Sequence, residues 1–246
     1  MSDQQSANIL SVQDIHTYIG QFHILEGVSL DVARGSVTVL LGRNGAGKTT
    51  TLKSILGLTP PRSGKVILDG QEIQGTHTYD IASLGIGYVP EHRAIFRDLS
   101  VAENLRIAER KKGDLDRKAD FIFALFPDLK RLYRLRGYQL SGGQQQMLAV
   151  ARALVADNKL LLIDEPSEGL APVLIEQMME AIRELSATTT VLLVEQNFIM
   201  ASQLGQHYSI IDDGRIVHGG EMADLILDEA LIHRYLGASA ARVSAR

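Results

Sequence analysis

Gly42-Arg43-Asn44-Gly45-Ala46-Gly47-Lys48-Thr49 is the stretch on which the reading of this chain turns. It has the spacing of a phosphate loop, a glycine-rich turn followed by Lys and a hydroxyl residue. Such a turn aims backbone N–H groups inward, and its glycines permit conformations and close approaches that side chains would block. Residues 37–41 before it form an apolar run that reads as a strand; residues 47–56 after it read as a helix. That helix places its positive dipole end at the turn. Lys48, expected as an exposed loop lysine, supplies a mobile cation for β- and γ-phosphates. Thr49 offers a hydroxyl to Mg²⁺, which takes oxygen ligands, and Thr50 adds a further phosphate hydrogen bond. An ordinary glycine turn has no need of Lys-Thr at this spacing.

Two stretches further along extend the same chemistry. Residues 160–163 are an apolar, buried-type strand that ends in Asp164 and Glu165. Carboxylates so placed lie at the carboxyl edge of a sheet, where α/β folds bind ligands. Asp164 is expected to hold Mg²⁺ directly or through water, and Glu165 to orient and polarise an attacking water. In-line phosphoryl transfer depends on positioning and charge neutralisation more than on covalent chemistry. Between the two motifs, Leu140-Ser141-Gly142-Gly143-Gln144 opens a helix. Ser141 is a good cap residue and the glycines leave N–H groups accessible, so this is a second anion site or a simply capped helix.

The three motifs in this order resemble the ATP-binding cassette (ABC) ATPase family over nearly the whole chain. The resemblance implies ATP and Mg²⁺ as ligands and two cassettes that sandwich two nucleotides. Ser141, Gly142, Gly143 and Gln144 would then face the γ-phosphate bound by another subunit. The family stacks adenine on an aromatic residue upstream of the phosphate loop. Tyr18 lies in that region, one position early, because Ile19 precedes Gly20. Glu91 stands where the family usually has a glutamine that reaches Mg²⁺ and the membrane partner. Gln196 stands where a histidine usually contacts the γ-phosphate; glutamine can donate a hydrogen bond but cannot become a cation. Together, "VPEHRAIF" (89–96), "DEPSEGLAP" (164–172), "LLVEQN" (192–197) and the ending at 232–237 resemble one branch, the smaller ATP-binding subunit of branched-chain amino acid importers. Urea and short-amide importers use closely similar subunits, and soluble ABC ATPases form a further class. The branch implies a second, different cassette, two permease chains and an external solute-binding protein, with this chain peripheral on the cytoplasmic membrane face.

Composition agrees with that picture. The chain has 246 residues, enough for a sizeable core, and no Cys, which excludes disulfides and thiolate metal sites. A formal charge of −4 argues against broad nucleic-acid binding, so the basic run at 130–136 reads as a solvated helix face. The seven His show no metal-ligand spacing. Neither an apolar run of bilayer length nor a secretion signal is visible, so membrane work needs another chain to do the crossing.

Short β-branched runs at 9–15, 28–32, 37–41, 66–69, 86–89, 159–163, 191–195, 209–212 and 215–217 predict strands. Residues 101–156 are mainly helical in pattern, with turns near 112–113 and 136–137, and 173–185 predicts a helix. The expected fold is α/β: one ABC ATPase domain whose phosphate-loop lobe (1–90 and 157–237) mixes a sheet, helices and an antiparallel part. A helical lobe (91–156) is inserted in it, and a frayed tail occupies 238–246.

Overall fold

The computed structural model describes residues 7–92 and 94–237. The expectation of a frayed tail at 238–246 lies outside the described residues. Two long strands open the chain, β1 (Asn8–Ile19) and β2 (Phe22–Ala33), followed by β3 (Val37–Leu41) and α1 (Lys48–Ile55). Next come β4 (Ser63–Leu68), β5 (Gln71–Glu72), α2 (Thr78–Ser83) and β6 (Ile86–Val89). The helical stretch holds α3 (Val101–Arg106), α4 (Asp114–Leu125), α5 (Pro127–Arg131) and α6 (Gly142–Leu154). The rest alternates: β7 (Leu160–Asp164), α7 (Pro172–Ser186), β8 (Thr190–Glu195), α8 (Phe198–Leu204), β9 (His207–Asp212), β10 (Arg215–Glu221), α9 (Met222–Leu227) and α10 (Glu229–Leu236).

Two sheets result. One is antiparallel, in the order β2-β1-β4-β5; the other has six strands in the order β10-β9-β3-β8-β7-β6. In the six-stranded sheet only β9 and β10 pair antiparallel. Every residue of β3, β7 and β8 is buried, as expected of parallel strands covered on both faces. One face packs against β1, β2, β4 and α1 through Leu40, Leu162, Leu192, Ile15, Val28 and Leu52. The opposite face, with Val39, Leu161 and Leu193, shares a continuous apolar core with Leu105, Ile122, Leu148 and Ile182 from the helices. The helical stretch is therefore anchored to the sheet chiefly by α6, whose Met147, Leu148, Val150, Ala151 and Leu154 are buried.

Register decides where the chemistry falls. Leu41 of β3 lies opposite Glu195 of β8, and Val194 lies opposite Asp164 of β7. The phosphate loop, residues 164–165 and residues 195–196 thus leave the sheet at one carboxyl edge, with β8 in the middle. Val89 pairs with Ile163, so Glu91 leaves the same edge beyond β6. The elements β5, α2, α8, α9 and α10 go beyond those expected from the sequence, and β1 and β2 are longer than the apolar runs inside them. Polar positions in β1 and β2 face solvent, which hides a strand whose backbone pairing alone defines it. No helix among the described residues is long and apolar enough to cross a membrane.

Candidate nucleotide site

The turn between β3 and α1 is built as its sequence requires. Gly45 and Gly47 take left-handed φ values of 83° and 109°, and a Cβ on Gly42 would sit 2.4 Å from the Ile211 carbonyl oxygen. Gly47 caps α1 without any side-chain hydrogen bond to the first-turn N–H groups. These amides remain available to an anion, with the helix dipole behind them. Lys48 is the first residue of α1 and is 4% exposed, which corrects the expectation of an exposed loop lysine. Its Nζ donates to the carbonyls of Gly42 (2.9 Å) and Arg43 (3.0 Å) and pairs with Glu165 Oε1 at 2.9 Å.

The carboxylates stand across from that turn. Asp164 is fully buried, and the Thr49 hydroxyl donates to it at 3.2 Å. The Tyr88 hydroxyl donates to its other oxygen at 3.4 Å. Burial, helped by the negative charges of Glu165 and Glu91, pushes the Asp164 carboxyl up to about 6 against the pull of the Thr49 and Tyr88 hydroxyls. Burial and the same Asp164 raise the Tyr88 phenol above its ordinary value. Glu165 follows with φ 45°, a left-handed backbone rare for a residue with a side chain, fixed by its N–H to the Val194 carbonyl at 2.9 Å.

A cleft of about 250 Å³ opens between these groups, lined by Ile24, Asn44, Gly45, Lys48, Thr49, Thr50, Glu91, Glu165 and Glu168 together with Gly47. It fits a magnesium-bound triphosphate on two counts. The open first turn of α1, Lys48 and Thr50 present donors and positive charge to an anion. Asp164, with only hydroxyl partners and two carboxylates near it, is an uncompensated negative group beside the Thr49 hydroxyl, an oxygen set suited to a hard divalent cation. A larger hollow of about 420 Å³, with Phe126, Met147 and Ala181 in its walls, also carries Asp128, Glu180 and Glu184. Those carboxylates would repel a triphosphate.

The structure thus brings together Gly42, Gly45, Gly47, Lys48, Thr49, Thr50, Glu91, Asp164 and Glu165. Asn44 lines the cleft, Ala46 is buried beneath it, and Arg43 turns its guanidinium away to the Arg234 carbonyl at 3.2 Å. Gln196 is exposed at the end of β8, outside the cleft lining. Tyr18 is held elsewhere: its ring stacks on His23 at 4.2 Å and 3°, and the Arg62 guanidinium lies 4.0 Å from its centroid. The ring is thus already engaged by two neighbours, at least one of which adenine would have to displace. Ile24, from β2, lines the cleft instead.

Ser141 forms a reciprocal capping box with Gln144 at the start of α6, and Gly143 packs so closely that a Cβ would meet Leu174 at 2.2 Å. None of residues 141–144 lines the cleft. Sequence reasoning missed Tyr88, Glu168, Ile24 and the buried Glu195. Glu168 and Glu195 lie within the stretches 164–172 and 192–197 without being singled out there; nothing in the local pattern marks Tyr88 and Ile24.

Comparison with known proteins places these motifs. A sequence model described as ABC transporter matches residues 25–168. The chain is 40% identical over 93% of its length to the whole of the high-affinity branched-chain amino acid transport ATP-binding protein BraG of Pseudomonas aeruginosa. It is 37% identical over 85% of its length to 90% of the probable branched-chain amino acid transport ATP-binding protein LivF of Archaeoglobus fulgidus. Identity is 33% over 87% of the chain to 91% of the lipopolysaccharide export system ATP-binding protein LptB of Escherichia coli. In fold it is similar to a crystal structure of a nucleotide-free ATP-binding cassette from an ABC transporter, with TM-score 0.80 and 26% identity over 92% of this chain and 97% of that one.

Proposed function

The chain belongs to the ABC transporter family, and on that footing we propose that it is the ATP-hydrolysing subunit of a branched-chain amino acid importer. The observation that carries the ATPase reading is the pairing across the cleft, Lys48 with Glu165 at 2.9 Å and Thr49 with Asp164 at 3.2 Å, and the likeness to BraG and LivF supports the solute. Phosphate-loop residues and strand-end carboxylates already touch where a γ-phosphate, a metal and a water would have to meet.

Each residue has one task. The first-turn amides of α1 and Thr50 bind phosphate oxygens, and Lys48 exchanges Glu165 for a phosphate oxygen. Glu165, so released, accepts the proton of the attacking water as the γ-phosphate bond to its leaving oxygen breaks. Thr49, Asp164 and Glu91 are the oxygen donors for magnesium, which when bound supplies charge neutralisation on the phosphates. Gln196 stands at the end of the central strand outside the cleft lining, so its side chain must swing in to donate a hydrogen bond to the γ-phosphate, and it would bring no positive charge. Ser141, Gly142, Gly143 and Gln144 complete the site of a second, different cassette. Residues 91–156 dock a cytoplasmic helix of one of the two permease chains at the cytoplasmic membrane face, and a solute-binding protein delivers the amino acid from outside.

The test is uptake of radiolabelled leucine, isoleucine and valine by vesicles containing the assembled transporter. ATP-dependent uptake of these solutes supports the reading. Uptake of urea or short amides in their place, or ATP hydrolysis stimulated by a lipid cargo, would reassign the substrate and leave the ATPase chemistry standing.

A further inference from the structure

Glu195 ends the central strand β8, 1% exposed, and does not line the cleft. A carboxylate in so dry a place is costly unless its oxygens are fully used. Here they are. Oε1 accepts from the Ser167 N–H at 3.2 Å, and Oε2 accepts from the Ser167 hydroxyl at 3.0 Å and from the N–H groups of Gln196 and Asn197 at 3.1 Å each. One side chain therefore joins two segments far apart in sequence. One is the loop that carries Glu165 and Glu168 into the cleft; the other is the chain turning out of β8 with Gln196.

That loop pivots on Ser167. Glu168 N–H bonds the Glu165 carbonyl at 3.1 Å, and Leu170 N–H bonds the Ser167 carbonyl at 3.2 Å, so the loop is a pair of turns with Ser167 between them. Fixing Ser167 fixes the pose of both flanking carboxylates. We propose that Glu195 is a positioning residue, which acts through Ser167 to hold the Glu165–Glu168 loop in register with Gln196. This rests on the ATPase reading above. It differs from a packing role because β8 is already secured by its buried apolar residues and two parallel neighbours.

Glu195→Gln separates the contacts. Its amide oxygen can keep the three donors at Oε2, while its N–H₂ meets the Ser167 N–H and releases the loop. In the assembled transporter, kcat should fall at least about tenfold while KM for ATP stays within about twofold. Hydrogen exchange should quicken in 165–170 and stay unchanged in the strands. Ser167→Ala, at a half-buried position, should lower kcat in the same direction and add little when combined with Glu195→Gln. An unchanged kcat in a folded Glu195→Gln protein overturns the proposal, as does exchange that quickens across the whole sheet. Should Glu195→Gln fail to fold, Ser167→Ala decides: a lower kcat at constant KM supports positioning, and wild-type kcat refutes it. Failure of the ATPase reading would show separately, as a wild-type transporter without turnover whose loop exchange still responds to the substitutions.

Discussion

The ammonium of Lys48 serves the fold in addition to the phosphate binding proposed for it. It caps two carbonyls of its own loop and neutralises Glu165, whose side chain is only 14% exposed. Lys48→Ala should weaken ATP binding at least tenfold, about 1.4 kcal/mol or more. It should also lower the melting temperature, because Glu165 and the two carbonyls lose their partner. Nucleotide titration beside ligand-free melting reads both effects, and unchanged affinity with lower melting would make Lys48 purely structural. Glu195 adds a pH dependence. Burial pushes its carboxyl up from 4.5 to about 7, against the pull of Asn197 and Ser167 and with a further push from the negative Glu165. Between those values the folded chain holds a proton that the unfolded chain has released. The group's contribution is therefore greatest at the acid end and is lost as pH rises through about 7. Relative to Glu195→Gln, wild-type unfolding free energy should fall by on the order of 2 kcal/mol from about pH 5 to about pH 8. Denaturant titrations across that range check it, and a flat difference would mean that the carboxyl is not shifted.

Among the elements, α6 couples the signature segment, residues 141–144, to the core. Its first turn is held by the Ser141–Gln144 box and its body is buried against the sheet, so the exposed cap and the packed helix move as one piece. Ser141→Ala should cost about 1 kcal/mol of stability through the lost cap. ATP binding to this chain alone should be unchanged, because the signature does not line its cleft, whereas hydrolysis by the assembled transporter should fall. Weaker nucleotide binding by the isolated variant would contradict that separation. The element pattern also explains what could be read in advance. β3, α1 and β7 were legible because apolar runs and a glycine turn are local signals. Tyr18 was misleading because the upstream position is set by the register of the β1–β2 hairpin and by the chance neighbours His23 and Arg62. Glu195 was invisible as a functional group because its meaning comes from Ser167, which only the fold brings beside it. The short helices α9 and α10 bury Met222, Leu225 and Ile232 in the same core as Tyr208, and so depend on packing for their stability.

The molecule as a whole carries a nucleotide cleft on one sheet edge and, apart from it, the capped glycine pair at the start of α6, an arrangement that fits the proposal of two cassettes closing on each other's nucleotides. With Gln196 in place of a potential cation, the pair is expected to be unequal, this chain's signature completing the partner's site. Everything turns on the proposal that Glu165 is the group that activates water. The decisive experiment is single-turnover hydrolysis of magnesium-ATP by the assembled transporter, with the partner cassette's catalytic carboxylate disabled and this chain either wild type or Glu165→Gln. ATP should bind equally well to both. Hydrolysis by Glu165→Gln should be at least about a hundredfold slower, with the ATP-bound pair accumulating. Hydrolysis by the variant at close to the wild-type rate would contradict the role assigned to Glu165.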